Sequence, residues 1–171
     1  MTSRSIIHGF VQYAHLDEEL VVDLLDRLAV RLNGDQLGVD WWRDRQGELG
    51  DPYSPEIIGR IETAQVLLQC LSPNFLAKAN PAVNGYIWDH EMPAIQRRGA
   101  SLYRVPVGLV TFDPSHGRGR GIEDRTYHLL PGPKGSSLFY KILDDNGRDE
   151  FARQLANRMY RRFEAMGLVA A

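Results

Sequence analysis

The stretch GYIWDHEMPAI, Gly85 to Ile95, sets Trp88, Asp89, His90 and Glu91 side by side, with Met92 and Pro93 directly after. Proline fits the first turn of a helix, where its missing N–H costs nothing. A helix entering near Asp89 carries Ala94, Ile95 and Arg98 onward and places Glu91 in its first turn. There the positive end of the helix macrodipole favours an ionised carboxylate. A fixed, charged glutamate beside two aromatics suits a chemical site. It also suits a plain capped helix, and the stretch alone leaves both readings open.

The elements that must position this glutamate alternate between strand and helix. SIIHGFVQY, residues 5–13, reads as a first strand, β-branched and apolar with polar residues at its end. Leu20, Leu24, Leu28 and Leu32 then recur every four residues, with Asp17 as the expected N-cap and Gly34 as the stop. LGVDWW is a second strand. RDRQGELGDPYSP is a loop, and Ser54 with Pro55 opens a second helix as N-cap and first helical residue. QVLLQCLS is a continuous apolar run, as expected of a strand covered on both faces. LYRVPVGLV is a fourth strand, and residues 111–137 are rich in glycine and proline and mostly irregular. A last helix over residues 147–166 carries the stripe Phe151, Leu155 and Met159. This repetition predicts an α/β fold with a parallel sheet between helices. Ligands on such sheets bind at the carboxyl ends of the strands. That rim collects Gln12, Tyr13, Ala14 and His15 after the first strand, Asp44 and Arg45 after the second, Ser72 after the third, and Glu91.

Composition excludes other classes. The chain has 171 residues, expected as a single domain, with 43% hydrophobic and 25% charged residues. A formal net charge of -2 gives no basic excess for nucleic acid. The one cysteine, Cys70, lies in an apolar run, reads as core, excludes an intramolecular disulfide framework and fits a reducing compartment. No run has the length of a membrane span, and the first residues lack the apolar centre of a signal peptide, so a cytoplasmic protein is expected.

Four motifs in order then resemble a Toll/interleukin receptor (TIR) domain of the bacterial type. GFVQYAHLDEEL is similar to that family's first box, and WWRDRQGELGDPY to its second. LLQCLSPNFLAKA matches the strand that ends Leu-Ser-Pro-Asn, and YIWDHEMPAI the segment carrying the family's glutamate; VPVGLV matches the strand after it. The resemblance runs from about Ile6 to Val110, and the last helix also fits. It implies a flavodoxin-like three-layer sandwich with a central parallel sheet of about five strands and helices on both faces.

Many TIR domains cleave NAD+ between nicotinamide and ribose, and the resemblance makes Glu91 the catalytic glutamate. Gln12, Tyr13, His15, Trp42, Asp44, Arg45, Gly50, Tyr53, Ser72 and Trp88 are the matching candidates for holding NAD+, a substrate; no cofactor and no metal are implied. The resemblance also implies self-association, as a homo-oligomer or filament, through the second-box loop at residues 44–54. A sensor domain or partner protein would complete such a system; direct nucleic-acid or membrane binding is not expected. The chain departs from the family where Gln12 replaces a frequent serine, where Trp88 precedes Glu91 by three residues with Ile87 in the fourth place, and where Tyr53 replaces a frequent tryptophan. The segment NPAVNGY also lengthens the approach to Glu91. Several residues keep a structural reading beside the functional one. Asp44 pairs with Arg45 or holds a ribose hydroxyl. Trp41 and Trp42 point to opposite faces, one to the core and one to a base or the loop. His15 contacts phosphate or caps the next helix. GRGRG, residues 117–121, lacks the strand–loop–helix context of a phosphate loop and reads as a surface loop. A non-catalytic TIR scaffold, or a mimic of host signalling, is the alternative from a different class. A nucleoside deoxyribosyltransferase, with a related sheet and its own glutamate, is disfavoured by the intact second box and LSPNFL.

Overall fold

A computed structural model describes residues 6–34, 37–43, 55–77, 87–117 and 126–169. β1 (Ile6–Gln12) leads through a 3-10 turn (His15–Asp17) into α1 (Glu18–Gly34). β2 (Gly38–Arg43), α2 (Pro55–Thr63) and β3 (Val66–Leu71) follow, then the single-turn α3 (Pro73–Leu76). A π-helical turn (Ile87–Glu91) runs into α4 (Met92–Arg98), and β4 (Tyr103–Gly108) comes next. A two-residue pair, β5 (Leu130–Pro131) and β6 (Ser137–Leu138), precedes α5 (Asp145–Ala165).

Four strands form one sheet in the order β2-β1-β3-β4, every pair parallel. β1 and β3 occupy its centre, and all six residues of β3 are buried. α1 and α5 pack on one face through Val21, Leu24, Leu28, Phe151, Leu155 and Met159. α2 and α4 cover the other through Ile57, Ile61, Ala94 and Ile95. Each fully buried large apolar side chain in these layers contributes about 1.5–3 kcal/mol. The α/β sandwich with a parallel sheet is therefore as expected.

The structure adds detail to two local expectations and corrects a third. The sheet has four strands among the described residues, where about five were expected. The fifth position beside β4 is held by one residue, His128, through a parallel bridge to Val107. Its N–H donates to the Pro106 carbonyl at 2.8 Å, and its carbonyl accepts from the Gly108 N–H at 2.9 Å. Space sets this geometry: a Cβ on Gly108 would lie 2.3 Å from Leu129 and 2.9 Å from Phe139. Asp17, expected as the N-cap of α1, sits instead inside the 3-10 turn, whose capping position is Ala14. α5 runs from Asp145, close to the expected start, and the Asp144 carboxylate caps it by accepting from the Gly147 N–H at 2.8 Å. Ser54, the expected cap of α2, lies outside the described residues, although α2 does start at Pro55.

Candidate active site

Six polar or charged side chains are buried among the described residues: Gln12, Asp17, Gln69, Ser72, Glu91 and His128. The first five gather where β1 and β3 end, which is the rim expected to bind ligands. A buried polar group is tolerated only when hydrogen-bonded, and these five are bonded to one another and to their neighbours.

Glu91 is 6% exposed. It closes the π-helical turn and directly precedes α4, whose early proline is Pro93. Its Oε1 accepts from Gln12 Nε2 at 3.2 Å. Gln12 lies directly across from Gln69 in the β1–β3 register, and Gln69 Nε2 donates to Gln12 Oε1 at 2.8 Å. The same Nε2 lies 3.7 Å from the sulfur of Met92, the residue after Glu91. Arg104 on β4 donates from Nη2 to Gln69 Oε1 at 3.2 Å. Phe10, Leu71, Phe75 and Met92 belong to the buried apolar cluster on the α2 and α4 side of the sheet.

Beside this chain stands a second cluster. Ser72 donates its hydroxyl proton to Asp17 and accepts from the Phe75 N–H at 3.0 Å, so it caps α3. Asn74 Nδ2 donates to the other Asp17 oxygen at 2.9 Å. Asp17 thus satisfies the chain beyond β3, which explains why it does not serve α1. Trp88 is half-buried; its indole N–H donates to the Phe75 carbonyl at 3.2 Å, and its ring meets Phe75 edge-on at 5.7 Å. The approach to Glu91 is thereby pinned to α3.

The remaining candidates are further out. Tyr13 is buried, and its hydroxyl donates to Glu18 Oε1 at 3.4 Å. Arg43 also pairs with Glu18; its contact with Tyr13 and then that with Glu18 raise its pKa against the lowering effect of burial. His15 is half-buried with its ring edge-on to Tyr13 at 5.5 Å. Trp41 and Trp42 do face opposite sides: Trp41 packs on the α1 and α5 face, Trp42 on the α2 and α4 face. Trp42 stacks on Phe10 at 5.3 Å, lies beneath Arg60, and lines a small cavity of about 150 Å³ with His8 and Asp40. Asp44, Arg45, Gly50 and Tyr53 lie outside the described residues. Cys70 is fully buried, and burial pushes its thiol pKa up, so it is poorly suited to act as a nucleophile.

Gln69, Arg104 and Asn74 were not singled out in the sequence. The signal for Gln69 was available: an amide inside an otherwise apolar strand must find a buried partner. Among the described residues no group of three or more His, Cys, Asp or Glu side chains is placed to hold a metal ion. No described helix is long and apolar enough to cross a membrane.

No family model matches this chain, and no curated protein matches it. Solved structures do. The crystal structure of the RPS4 and RRS1 TIR domain heterodimer aligns with a TM-score of 0.51 at 15% identity, covering 91% of this chain and 96% of that one. The TIR domains of the activated Roq1 resistosome, described as directly recognizing the pathogen effector XopQ, align with a TM-score of 0.44 at 15% identity, covering 88% and 84%. The first of these alignments shows that the chain has the fold of TIR domains.

Proposed function

We propose that the protein is an NAD+ glycohydrolase of the TIR type that uses Glu91 to cleave the nicotinamide–ribose bond. The observation that carries this reading is Glu91 itself: a carboxylate 6% exposed, held by Gln12, at the carboxyl rim of the parallel sheet. Burial of a carboxylate is costly, and a purely structural helix start has no need of it. In NAD+ the nicotinamide leaves as a neutral molecule from a cationic state, so no general acid has to protonate it. The C1′–N bond breaks with its electron pair going to nicotinamide. The ribose left behind is oxocarbenium-like, and a fixed anion against it stabilises that charge. Water then attacks C1′ and loses a proton, giving ADP-ribose. Attack by an atom of the substrate's own adenine or ribose gives a cyclic product instead.

NAD+ would lie across the rim, with Gln12, Tyr13, His15, Trp42, Ser72 and Trp88, and with Asp44, Arg45, Gly50 and Tyr53 from the second-box loop, as its contacts. NAD+ is substrate in this scheme, and no cofactor takes part. The resemblance to bacterial TIR domains supports a role as a cytoplasmic effector in antiviral defence. It also supports activation by self-association through residues 44–54. The RPS4 and RRS1 structure, a heterodimer of TIR domains, favours association as a property of the fold. That same observation favours the second reading, a scaffold that acts by TIR–TIR contact without turnover.

Incubation of concentrated protein with NAD+, with products separated by chromatography, tests the proposal. Nicotinamide release by the wild type, lost by at least ~100-fold in a folded Glu91→Gln variant, is the expected result. Equal rates in the two proteins remove Glu91 from the chemistry. No release at any concentration leaves the scaffold. Specific activity that rises over a hundredfold range of protein concentration is expected if association switches the enzyme on.

A further inference from the structure

Arg104, Gln69, Gln12 and Glu91 form a single file of hydrogen bonds across three strands and the start of α4. The two ends of the file decide its direction. A guanidinium can only donate and an ionised carboxylate can only accept. Each glutamine between them must therefore turn its carbonyl toward Arg104 and its amide N–H toward Glu91, and both do. The steps measure 3.2 Å, 2.8 Å and 3.2 Å. Gln69 is 0% and Gln12 1% exposed, so water does not compete for these groups. Aligned amide dipoles in such a file polarise one another, and a charge at one end strengthens the bond at the other.

We infer that Arg104 is a positioning residue for Glu91, acting through Gln69 and Gln12. Its cation holds both amides in the one orientation that presents an N–H to the carboxylate, and so fixes the rotamer in which Glu91 meets substrate. Without it Gln69 is free to turn over. Gln12 then offers Glu91 a carbonyl as readily as an N–H, and two facing oxygens push the carboxylate away. The catalytic consequence rests on the glycohydrolase reading above; the hold on Glu91 does not.

Two measurements on the whole chain separate these. The first is the side-chain amide signal of Gln12 by NMR in the wild type and in Arg104→Met, which keeps an unbranched apolar stem and removes the guanidinium. Gln12 does not touch Arg104 in the file, so a shift of its Nε2 protons, reversed in part by Arg104→Lys, is the expected result. Unchanged Gln12 signals in a variant whose Gln69 signals move overturn the inference. The second is steady-state kinetics. Arg104→Met is expected to lower kcat about tenfold with KM for NAD+ within about twofold, since it misaligns the catalytic group without touching substrate. The double variant Arg104→Met, Gln69→Met is expected to be no slower than Gln69→Met alone, because the two residues act in series. A fall in melting temperature with kcat unchanged assigns Arg104 a structural role and overturns the inference. If the wild type does not cleave NAD+, the glycohydrolase reading fails, and the Gln12 signal alone then decides whether Arg104 holds Glu91.

Discussion

Two carboxylates, one on the α1 and α5 side of the sheet and one at its rim, are held in different ways. On the α1 and α5 side, Asp23 of α1 meets its cations directly: Arg148 at 3.1 Å and Arg27 at 3.3 Å, with the Tyr140 hydroxyl donating at 2.5 Å. Arg27 goes on to Asp145 at 2.9 Å and Asp149 at 2.7 Å on α5. Burial raises the Asp23 pKa, but Tyr140 and then Arg27 more than offset this and hold it below the usual value. At the rim of β1 and β3, by contrast, two amides stand in a hydrogen-bonded file between Arg104 and Glu91. The first arrangement is a tie between helices, with charges neutralised on contact. The second hands orientation to one carboxylate while keeping the cation at a distance from it.

Crossed substitutions break this comparison most sharply. Glu91→Gln is expected to lose at least ~100-fold in NAD+ cleavage at unchanged melting temperature, and Asp23→Ala to keep its specific activity while losing stability. A reversal of the two phenotypes would exchange the roles assigned to the two carboxylates. Next in size is the pH dependence of the α5 side. His128 is 3% exposed, and its Nε2 lies 3.1 Å from the Phe151 carbonyl, which can only accept, so the neutral ring carries its proton there. Its pKa is lowered from 6.5 to about 4: burial lowers it most, the bond to Phe151 opposes that, and the Arg158 charge adds a smaller lowering. The unfolded chain therefore takes up a proton below pH 6.5 that the folded chain refuses until about pH 4. His128's contribution is complete above that range and lost progressively as pH falls through it, to a total of about 3 kcal/mol. Urea unfolding at pH 7 and pH 5 reads this, and His128→Leu is expected to flatten the slope. Asp23→Ala itself should cost about 2 kcal/mol, since it leaves the buried Tyr140 hydroxyl without its acceptor. Chemical denaturation measures that loss, and a value near zero would make the tie ornamental. Smallest of all, Arg153→Ala removes the exposed i,i+3 pair with Glu150 and is expected to leave the melting temperature unchanged.

Periodicity carried the helices well because burial is a matter of facing. Leu24, Leu28 and Leu32 are buried as their spacing predicts, while Leu20 is only half-buried and Val21 replaces it in the core. A four-residue repeat drifts around a helix of 3.6 residues per turn, and the stripe shifts one position over its length. The rim position of Glu91 was legible from Pro93 and from the strand–helix alternation. The π-helical turn that delivers it was not, because it is tied to α3 by the bond from Trp88 to the Phe75 carbonyl, a contact thirteen residues away in sequence. Asp17 misled for a related reason. Its residue type and position fit a cap, but Ser72 and Asn74, 55 and 57 residues later, compete for the carboxylate and win. The reading of LYRVPVGLV as a strand placed Arg104 without giving it a role, and only the register that sets Gln12 against Gln69 gives its guanidinium something to act on.

Pro106 has a consequence for how chains of this kind can meet. Its carbonyl points away from β3 toward His128, so the N–H that proline lacks is also the outward one. Beyond it the Gly108 N–H is already taken by His128. A foreign strand laid along this border would find one donor missing and the next occupied, which is how natural sheets refuse to be templated. Growth by continuous backbone pairing is thus closed on the β4 side, and a multimer of this protein must be written there in side chains and loops.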